Sequence, residues 1–496
     1  MSMKNGLVRG ALSLGGARIA TNLLNAATLL ILARLLTPQD FGIVAIASAV
    51  LHFVMSLTQV SIFHALVQRS VVTREHIDTA WTIALLRTLL IASFFLLAAW
   101  PLSIVYNDPR MIPVFIVTGL TGAVTGLFNP HMNLATKDMR FGPLTVFQIC
   151  QKGSGLIVAI VLALIFQSFW AIIIGNFVGA ALASLLSYFL IPYRPRLTLI
   201  HARDIWGFSG WMFLNQLCET VNWRFDQLAV SVVVPKAQMG LYAMADSLAV
   251  IPTRETIQPL REALFPGLAV LSGDPARMGA SCMRAQATIA FISMPLGIGL
   301  ALVAGPAVEV VLGEKWLAIV PFVQIFSVSG AIGAMTSCFQ PTAMALGQTR
   351  INFLQQFWVM VLRIPLIMVG LLTGGLIGAV LARLVSDIAG GAICTWYMRR
   401  LLGISIRKQL ASHSTALLGL AVMSLAVWQA EPVVALLSSS ALVKLVALSS
   451  IGGFAYAAAS AAIWLVGGRS HGPVAELFGV VARFMPASSR RAEAGS

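Results

Sequence analysis

Arg18, Arg87, Lys152, Arg224, Arg254, Arg261, Arg363 and Arg383 stand inside long apolar runs of this 496-residue chain. A charged side chain deep in a bilayer is expensive, so each of these needs a partner, a wet cavity or an exit to the membrane surface. Arginine binds phosphate oxygens through a planar fork and keeps its charge. A cavity lined by such cations suits an anionic ligand, such as one carrying phosphates, that must leave water. The spacing adds amides to the cations. Arg18, Asn22 and Asn25 lie at i, i+4 and i+7, and Gln148 and Lys152 share a face. Asn352, Gln356 and Arg363 share another. Arg254 and Arg261 are seven residues apart with Asp246 near their stripe, and Glu255 and Glu262 occupy the next one. Each cation also has a plainer reading, as a helix–helix ion pair or a side chain snorkelling to the interface. Arg18 and Arg34 lie near span ends, where snorkelling is easy. Arg383 and Asp387, at i and i+4, read equally as a structural pair or a site.

A second constellation is acidic. Glu219, Asn222 and Asp226 fall at i, i+3 and i+7. Two carboxylates and an amide on one stripe can coordinate Na⁺ or carry a proton. The competing reading is that Asp226 neutralises a neighbouring arginine; Arg224 points to another face. His52, His64 and His131 read as single satisfied polar residues. Cys150, Cys218, Cys282, Cys338 and Cys394 read as small apolar packing residues rather than metal or disulfide partners.

These residues must be positioned by transmembrane helices. Only 10% of residues are charged, 58% are hydrophobic, and the mean hydropathy is +0.87. A bilayer core of about 30 Å needs roughly 20 apolar residues per helix. Candidate spans run approximately over 13–34, 41–67, 79–105, 111–135, 144–166, 168–191, 209–233, 241–265, 285–312, 319–346, 352–372, 375–398, 413–430 and 441–467. The expected fold is an all-α polytopic membrane protein of about fourteen helices. The eighth span is the weakest because it holds Arg254, Glu255, Arg261 and Glu262. Pro252, Pro259, Pro295, Pro306 and Pro365 interrupt helices and are expected to kink or hinge them.

The formal net charge is +15. No compact basic domain is available for nucleic acid, and the positive-inside rule accounts for the excess. With the N-terminus in the cytoplasm, the inside loops carry Lys4 and Arg9, Arg69 and Arg74, Lys137 and Arg140, Arg194, Arg196 and Arg203, Arg277 and Arg284, Arg350, and Arg399, Arg400, Arg407 and Lys408. Outside loops hold about one basic residue each (Arg110, Lys236, Lys315) or none, and most sit beside an acid such as Asp108 or Glu314. Both termini are therefore expected in the cytoplasm. The first residues are basic and run into a helix without a cleavage site, and the tail beyond Trp464 reads as disordered apart from one amphipathic turn.

An internal repeat is visible. Thr37-Pro-Gln-Asp-Phe-Gly-Ile-Val-Ala-Ile-Ala-Ser matches Pro235-Lys-Ala-Gln-Met-Gly-Leu-Tyr-Ala-Met-Ala-Asp, pairing Gly42 with Gly240 at an offset of 198 (240 − 42). Ile112-Pro-Val-Phe with Phe128-Asn-Pro matches Val320-Pro-Phe-Val with Phe339-Gln-Pro. The expected organisation is a six-helix lobe over 1–200, a second over 201–400, two further helices within 401–470 and a cytoplasmic tail over 471–496. Both halves begin on the same side, so the repeat is parallel, as in transporters that alternate access around a site between halves.

Ala33-Arg-Leu-Leu-Thr-Pro-Gln-Asp-Phe-Gly resembles the signature of Wzx-type polysaccharide flippases. Gly240-Leu-Tyr through Pro252 to Ala263-Leu-Phe-Pro-Gly-Leu-Ala resembles the matching signature of their second half. Leu312-Gly-Glu-Lys-Trp with Pro321 is similar to a motif of the colanic acid and succinoglycan exporter branch. The resemblance covers roughly residues 7–400 and reaches the multidrug/oligosaccharidyl-lipid/polysaccharide exporter superfamily. It implies movement of undecaprenyl-pyrophosphate-linked oligosaccharide from the cytoplasmic to the periplasmic leaflet of a bacterial inner membrane. It also implies a cation-coupling acid in the seventh helix, carried over to Asp226, with Na⁺ or H⁺ as coupling ion and no other cofactor. A polysaccharide polymerase and co-polymerase are implied partners besides membrane lipid. Three alternatives stand beside it. A multidrug exporter would favour acidic and aromatic linings for cationic drugs, and a lipid II flippase shares the fold and cationic cavity. A membrane enzyme would usually need a sizeable aqueous loop or an acidic metal pair; no Asp-x-Asp cluster and no Walker motif occurs.

Overall fold

Helices fall on every apolar run marked by the sequence in a computed structural model that describes residues 3–58, 73–132, 142–202, 210–271 and 273–466. Its α-helices are α1 (Met3–Leu35), α2 (Pro38–Leu57), α3 (Arg74–Val105), α4 (Met111–Gly126), α5 (Gly142–Phe166), α6 (Trp170–Leu190), α7 (Gly210–Val233) and α8 (Lys236–Val270). They continue as α9 (Pro275–Leu302), α10 (Ala304–Val311), α11 (Val320–Ala334), α12 (Phe339–Ala345), α13 (Thr349–Leu402), α14 (Ile406–Ala411), α15 (Ser414–Leu437) and α16 (Ala441–Val466). Among the described residues nine helices are long and apolar enough to cross a bilayer, and two shorter apolar ones join them. The chain is an all-α, multi-pass membrane protein. His64, Arg69, Lys137, Arg140 and Arg203, the tail over 471–496, and the side chains of Arg18, Arg254, Glu255 and Glu262 lie outside the described residues.

Two compact units divide the chain, Met1–Ala243 and Met244–Ser496. In the first, α5 packs closely on α6 and on α1, α3 on α4, α4 on α6, and α7 on α2. Its apolar core includes Leu32, Leu36, Ile43, Ile46, Phe95 and Phe115, all fully buried. The signature around Thr37 acts here as structure. Thr37 and Asp40 form a reciprocal capping box at the start of α2, with Pro38 in the first turn. The remaining oxygen of Asp40 accepts the Phe169 N–H at 3.1 Å, tying α2 to the α5–α6 turn.

The repeat-related glycines touch each other. A Cβ on Gly42 would stand 1.7 Å from the Lys236 carbonyl oxygen, and a Cβ on Gly240 would stand 1.8 Å from that of Pro38. Lys236 and Pro38 are themselves repeat partners, so the crossing of α2 with the first turn of α8 has local twofold symmetry. Only glycine permits this approach of two backbones. Beside it lies a polar cluster from distant segments. Asp108 accepts from Arg110 at 2.9 Å and from Lys236 at 3.1 Å, Lys236 also donates to the Tyr106 carbonyl, and the Tyr106 hydroxyl meets Ser231 Oγ at 3.0 Å.

In the second unit α9 packs on α11 and α15, α11 on α13, and α15 on α16. One core cluster gathers Leu268, Met278, Cys282, Ile289, Cys338 and Phe339; another joins Met294, Ala331, Leu420, Met423 and Tyr456. The Leu312-Gly-Glu-Lys-Trp stretch forms a turn and a 3₁₀ segment, Glu314–Ile319, that anchors the fully buried Trp316. The spans expected at 352–372 and 375–398 are the two arms of α13. A straight helix of 54 residues would run about 81 Å, far beyond a bilayer. Gly375 breaks it with φ 58° and ψ −142°, a conformation that suits glycine.

Candidate functional site

The six helices α1 to α6 of the first unit line a cavity of about 600 Å³. Its lining follows from stripes on each helix: Asn25, Thr28 and Leu32 on α1; Ser48, His52 and Ser56 on α2; Arg87 on α3; Thr118, Thr121 and Thr125 on α4; Gln151, Lys152 and Ala159 on α5; and Asn176 on α6. Spacings of three and four residues put the sets of α1, α2 and α4 each on one helix face. Among the described lining residues none is Asp or Glu. Polar groups and three basic side chains thus face a space within an otherwise apolar bundle.

Two expected site residues meet here. Arg87 donates from Nε to Thr58 Oγ1 at 3.2 Å and from Nη2 to the Met55 carbonyl at 2.8 Å. It thereby neutralises the carbonyl end of α2, where a cation is favoured. Lys152 lines the cavity together with Gln151. His52 shares that space, and the charges of both Arg224 and Lys152 act on its ring. Arg224, on α7, donates to Gln227 Oε1 at 3.2 Å. Asn22 is half-buried, three residues from the cavity-lining Asn25. His52, which reads alone as a single satisfied polar residue, belongs to a polar stripe with Ser48 and Ser56 at i, i+4 and i+8 that lines the cavity. The hydroxyl stripe on α4 was equally readable.

The acidic constellation on α7 is organised by α8. Asp226 is 2% exposed and Asn222 4%. Asp226 accepts the Tyr242 hydroxyl at 2.7 Å and the Gln227 N–H at 2.8 Å. Glu219 is half-buried on the same helix. Among the described residues no group of three or more His, Cys, Asp or Glu side chains is gathered as a metal site would need.

In the second unit Arg261, Arg363 and Arg383 are each engaged by other side chains. Arg363 donates to Ser386 Oγ at 3.0 Å and pairs with Asp387, whose other oxygen accepts from Ser329. Arg363 and Asp387 each lie twelve residues from Gly375, so the break in α13 brings them level. Arg383 pairs instead with Asp246 on α8 at 3.0 Å and lies over the Phe326 ring at 4.7 Å. The expected Arg383–Asp387 pair is therefore replaced by two tertiary pairs. Arg261 donates to Gln340 on α12.

Comparison with known proteins agrees with this architecture. Lipopolysaccharide biosynthesis protein WzxC of Escherichia coli (strain K12) is 23% identical over 418 residues, covering 83% of this chain and 85% of that protein. Succinoglycan biosynthesis transport protein ExoT of Rhizobium meliloti (strain 1021) is 24% identical over 67% of each chain. Among solved structures, the lipid II flippase MurJ in an inward closed conformation superposes with a TM-score of 0.75 at 15% identity, over 92% of this chain and 99% of that one. An inward-facing multidrug resistance MATE family transporter of the MOP superfamily gives 0.63 at 13% identity, over 78% and 96%. These likenesses establish the shared helical fold. Residues 31–321, more than half of the sequence, match the family described as polysaccharide biosynthesis protein, and the chain belongs to that family.

Proposed function

We propose that this protein is a flippase that carries undecaprenyl-pyrophosphate-linked oligosaccharide repeat units from the cytoplasmic to the periplasmic leaflet of a bacterial inner membrane. The observation that carries the reading is the cavity of the first unit, where no Asp or Glu occurs among the described lining residues and His52, Arg87 and Lys152 stand among amides and hydroxyls. Such a lining offers hydrogen bonds to sugars and compensates phosphate charge away from water. It disfavours the cationic drugs of a multidrug exporter. The family and the names of its relatives support polysaccharide export, and the loop distribution of basic residues supports cytoplasmic termini. The reading is of a transporter without catalytic residues, working by alternating access. A polysaccharide polymerase and co-polymerase would receive its product.

Coupling to Na⁺ or H⁺ through Asp226, with Asn222 and Glu219 beside it, belongs to the same reading. Its support is a carboxylate 2% exposed on a membrane helix, which accepts the Tyr242 hydroxyl and the Gln227 N–H. Deletion of the gene tests the function. Loss of surface polysaccharide with lipid-linked repeat units accumulating inside is expected. Intact polysaccharide with new sensitivity to cationic drugs would overturn the reading in favour of a drug exporter.

A further inference from the structure

The chain that leaves α6 is bound to α3 as a strap. Residues 192–199 form no helix and lie along the first turns of α3. The Arg74 guanidinium donates to the Arg194 carbonyl at 3.4 Å, the Arg196 N–H donates to Asp78 at 3.3 Å, and the Thr198 N–H donates to Thr82 Oγ1 at 3.1 Å. The Thr82 hydroxyl donates to the Arg196 carbonyl at 3.5 Å. The chain then turns back. The His201 ring stacks on that of His76 at 3.8 Å, and its Nε2 lies 3.5 Å from the Glu75 carboxylate. Counted along α3, Thr82 stands about 12 Å from Arg74 and His76 about 3 Å from it. The strap therefore dips about 10 Å along α3 and returns, with residues 197–200 at its tip.

That depth is the edge of a bilayer. With 32 residues α3 is about 48 Å long, about 18 Å more than a hydrocarbon core, so its first turns stand among headgroups. Aromatic side chains mark the same level, as they do at membrane–water boundaries. The Trp81 indole donates to the Tyr188 hydroxyl at 2.7 Å, that hydroxyl donates to the Leu127 carbonyl at 2.8 Å, and the Tyr193 hydroxyl donates to Asp78 at 2.6 Å. Here the tip presents Leu197, Leu199 and Ile200, which are 73%, 49% and 75% exposed. Three exposed aliphatic side chains in four residues form an apolar patch that water disfavours. Arg194 and Arg196 precede them on the side nearer the start of α3, and both are exposed. Among the described residues neither guanidinium has a partner. The neighbouring acids are occupied, Asp78 by Tyr193 and the strap backbone and Glu75 by His201. Cations toward water and an apolar tip toward the acyl chains are the arrangement of a segment seated in an interface. The bonds to α3 satisfy backbone groups that lipid could not.

We propose that the strap over 194–200 is a binding site for anionic phospholipid, in which Leu197, Leu199 and Ile200 insert beside the acyl chains and Arg194 and Arg196 hold the headgroup phosphate. Guanidinium forks suit phosphate oxygens, and the basic pair selects a headgroup with net negative charge. The site lies apart from the cavity and is independent of what the cavity carries. Photo-crosslinking of the full chain tests it. A benzophenone-bearing residue replaces Leu197 or Ile200, the protein is placed in nanodiscs of equimolar phosphatidylglycerol and phosphatidylcholine, and intact-mass spectrometry reads the attached lipid after illumination. Both positions should gain phospholipid adducts, with phosphatidylglycerol favoured by about fivefold for each arginine engaged, the factor for a basic residue near an anionic surface. Arg194→Gln with Arg196→Gln should bring the two lipids to equal yield without losing the adducts. The same probe at Leu90, exposed on α3 about 24 Å from Arg74, reports plain lipid contact and should show no preference. Adducts at Leu90 but at neither strap position would place the strap in water and overturn the proposal. Equal yields of the two lipids at the strap, or a preference unchanged in the double glutamine variant, would overturn it as well.

Discussion

Replacing Arg363 by Met should destabilise the second unit far more than replacing Arg363 and Asp387 together. Arg363 is 8% exposed and supplies both the Ser386 hydrogen bond and the Asp387 ion pair. Its removal leaves a carboxylate inside a helical bundle with Ser329 as its remaining partner in this network. Breaking one side of a buried pair costs about 3–5 kcal/mol, whereas exchanging both partners for apolar residues of similar volume is often neutral. Arg363→Met should therefore lower the melting midpoint of the detergent-solubilised protein sharply, and Arg363→Met with Asp387→Leu should return it close to wild type. Two compact units make a single unfolding free energy ill-defined, so midpoint shifts are the quantity to compare. Arg363→Met melting at the wild-type temperature would refute the argument. Export by the stable double variant then separates the two roles of Arg363. Retained export marks the pair as a staple between the arms of α13, and lost export marks the guanidinium as a substrate contact.

Asp108 should carry a pH signature. The Arg110 side chain, working against burial and helped by Lys236, holds its carboxyl well below the usual carboxylate range. A group lowered in this way stabilises the fold fully above its ordinary value of about 3.9, and the contribution drains away as pH falls toward the folded value. Asp108→Asn should cost about 1.5–3 kcal/mol at neutral pH, and the gap to wild type should begin to close below about pH 4 in thermal melts. Asp226→Asn should remove the pH or Na⁺ dependence of export; unchanged dependence on both ions would rule out coupling there. Tyr242→Phe, which deletes the hydroxyl that Asp226 accepts, should shift that dependence without abolishing export. Arg261→Ala should lose the Gln340 contact, and normal export at matched abundance would show it to be structural.

Apolar runs made the helices legible, because a bilayer demands length and hydropathy before anything else. The Thr37 signature was legible as a repeat, but its physical work lies in a cap, a tie to Phe169 and a glycine contact 198 residues away. Spacing misled at Arg383 and Asp387. An i, i+4 pair on a helix gains only about 0.3–0.5 kcal/mol, and tertiary partners with additional contacts outcompete it. No local pattern could reveal that Asp387 meets Arg363 across the Gly375 break, or that Asp108 shares its carboxylate with Lys236 as well as Arg110. His52 was hidden for the opposite reason. Its stripe was present, but a single histidine in an apolar run carries meaning only once the charges of Lys152 and Arg224 are known to act on its ring.

The crossing of Gly42 and Gly240 has the geometry of an isologous dimer contact, with each residue seated on the counterpart of its own neighbour. Harm done there is therefore shared rather than summed. A methyl at either glycine forces the same two backbones apart, at about 1–3 kcal/mol for an overpacked contact. Once apart, they leave room for a methyl at the other. Gly42→Ala with Gly240→Ala should cost little more than one substitution alone, a strongly sub-additive double-mutant cycle. A chain carrying one alanine is thereby released from the need for the second glycine.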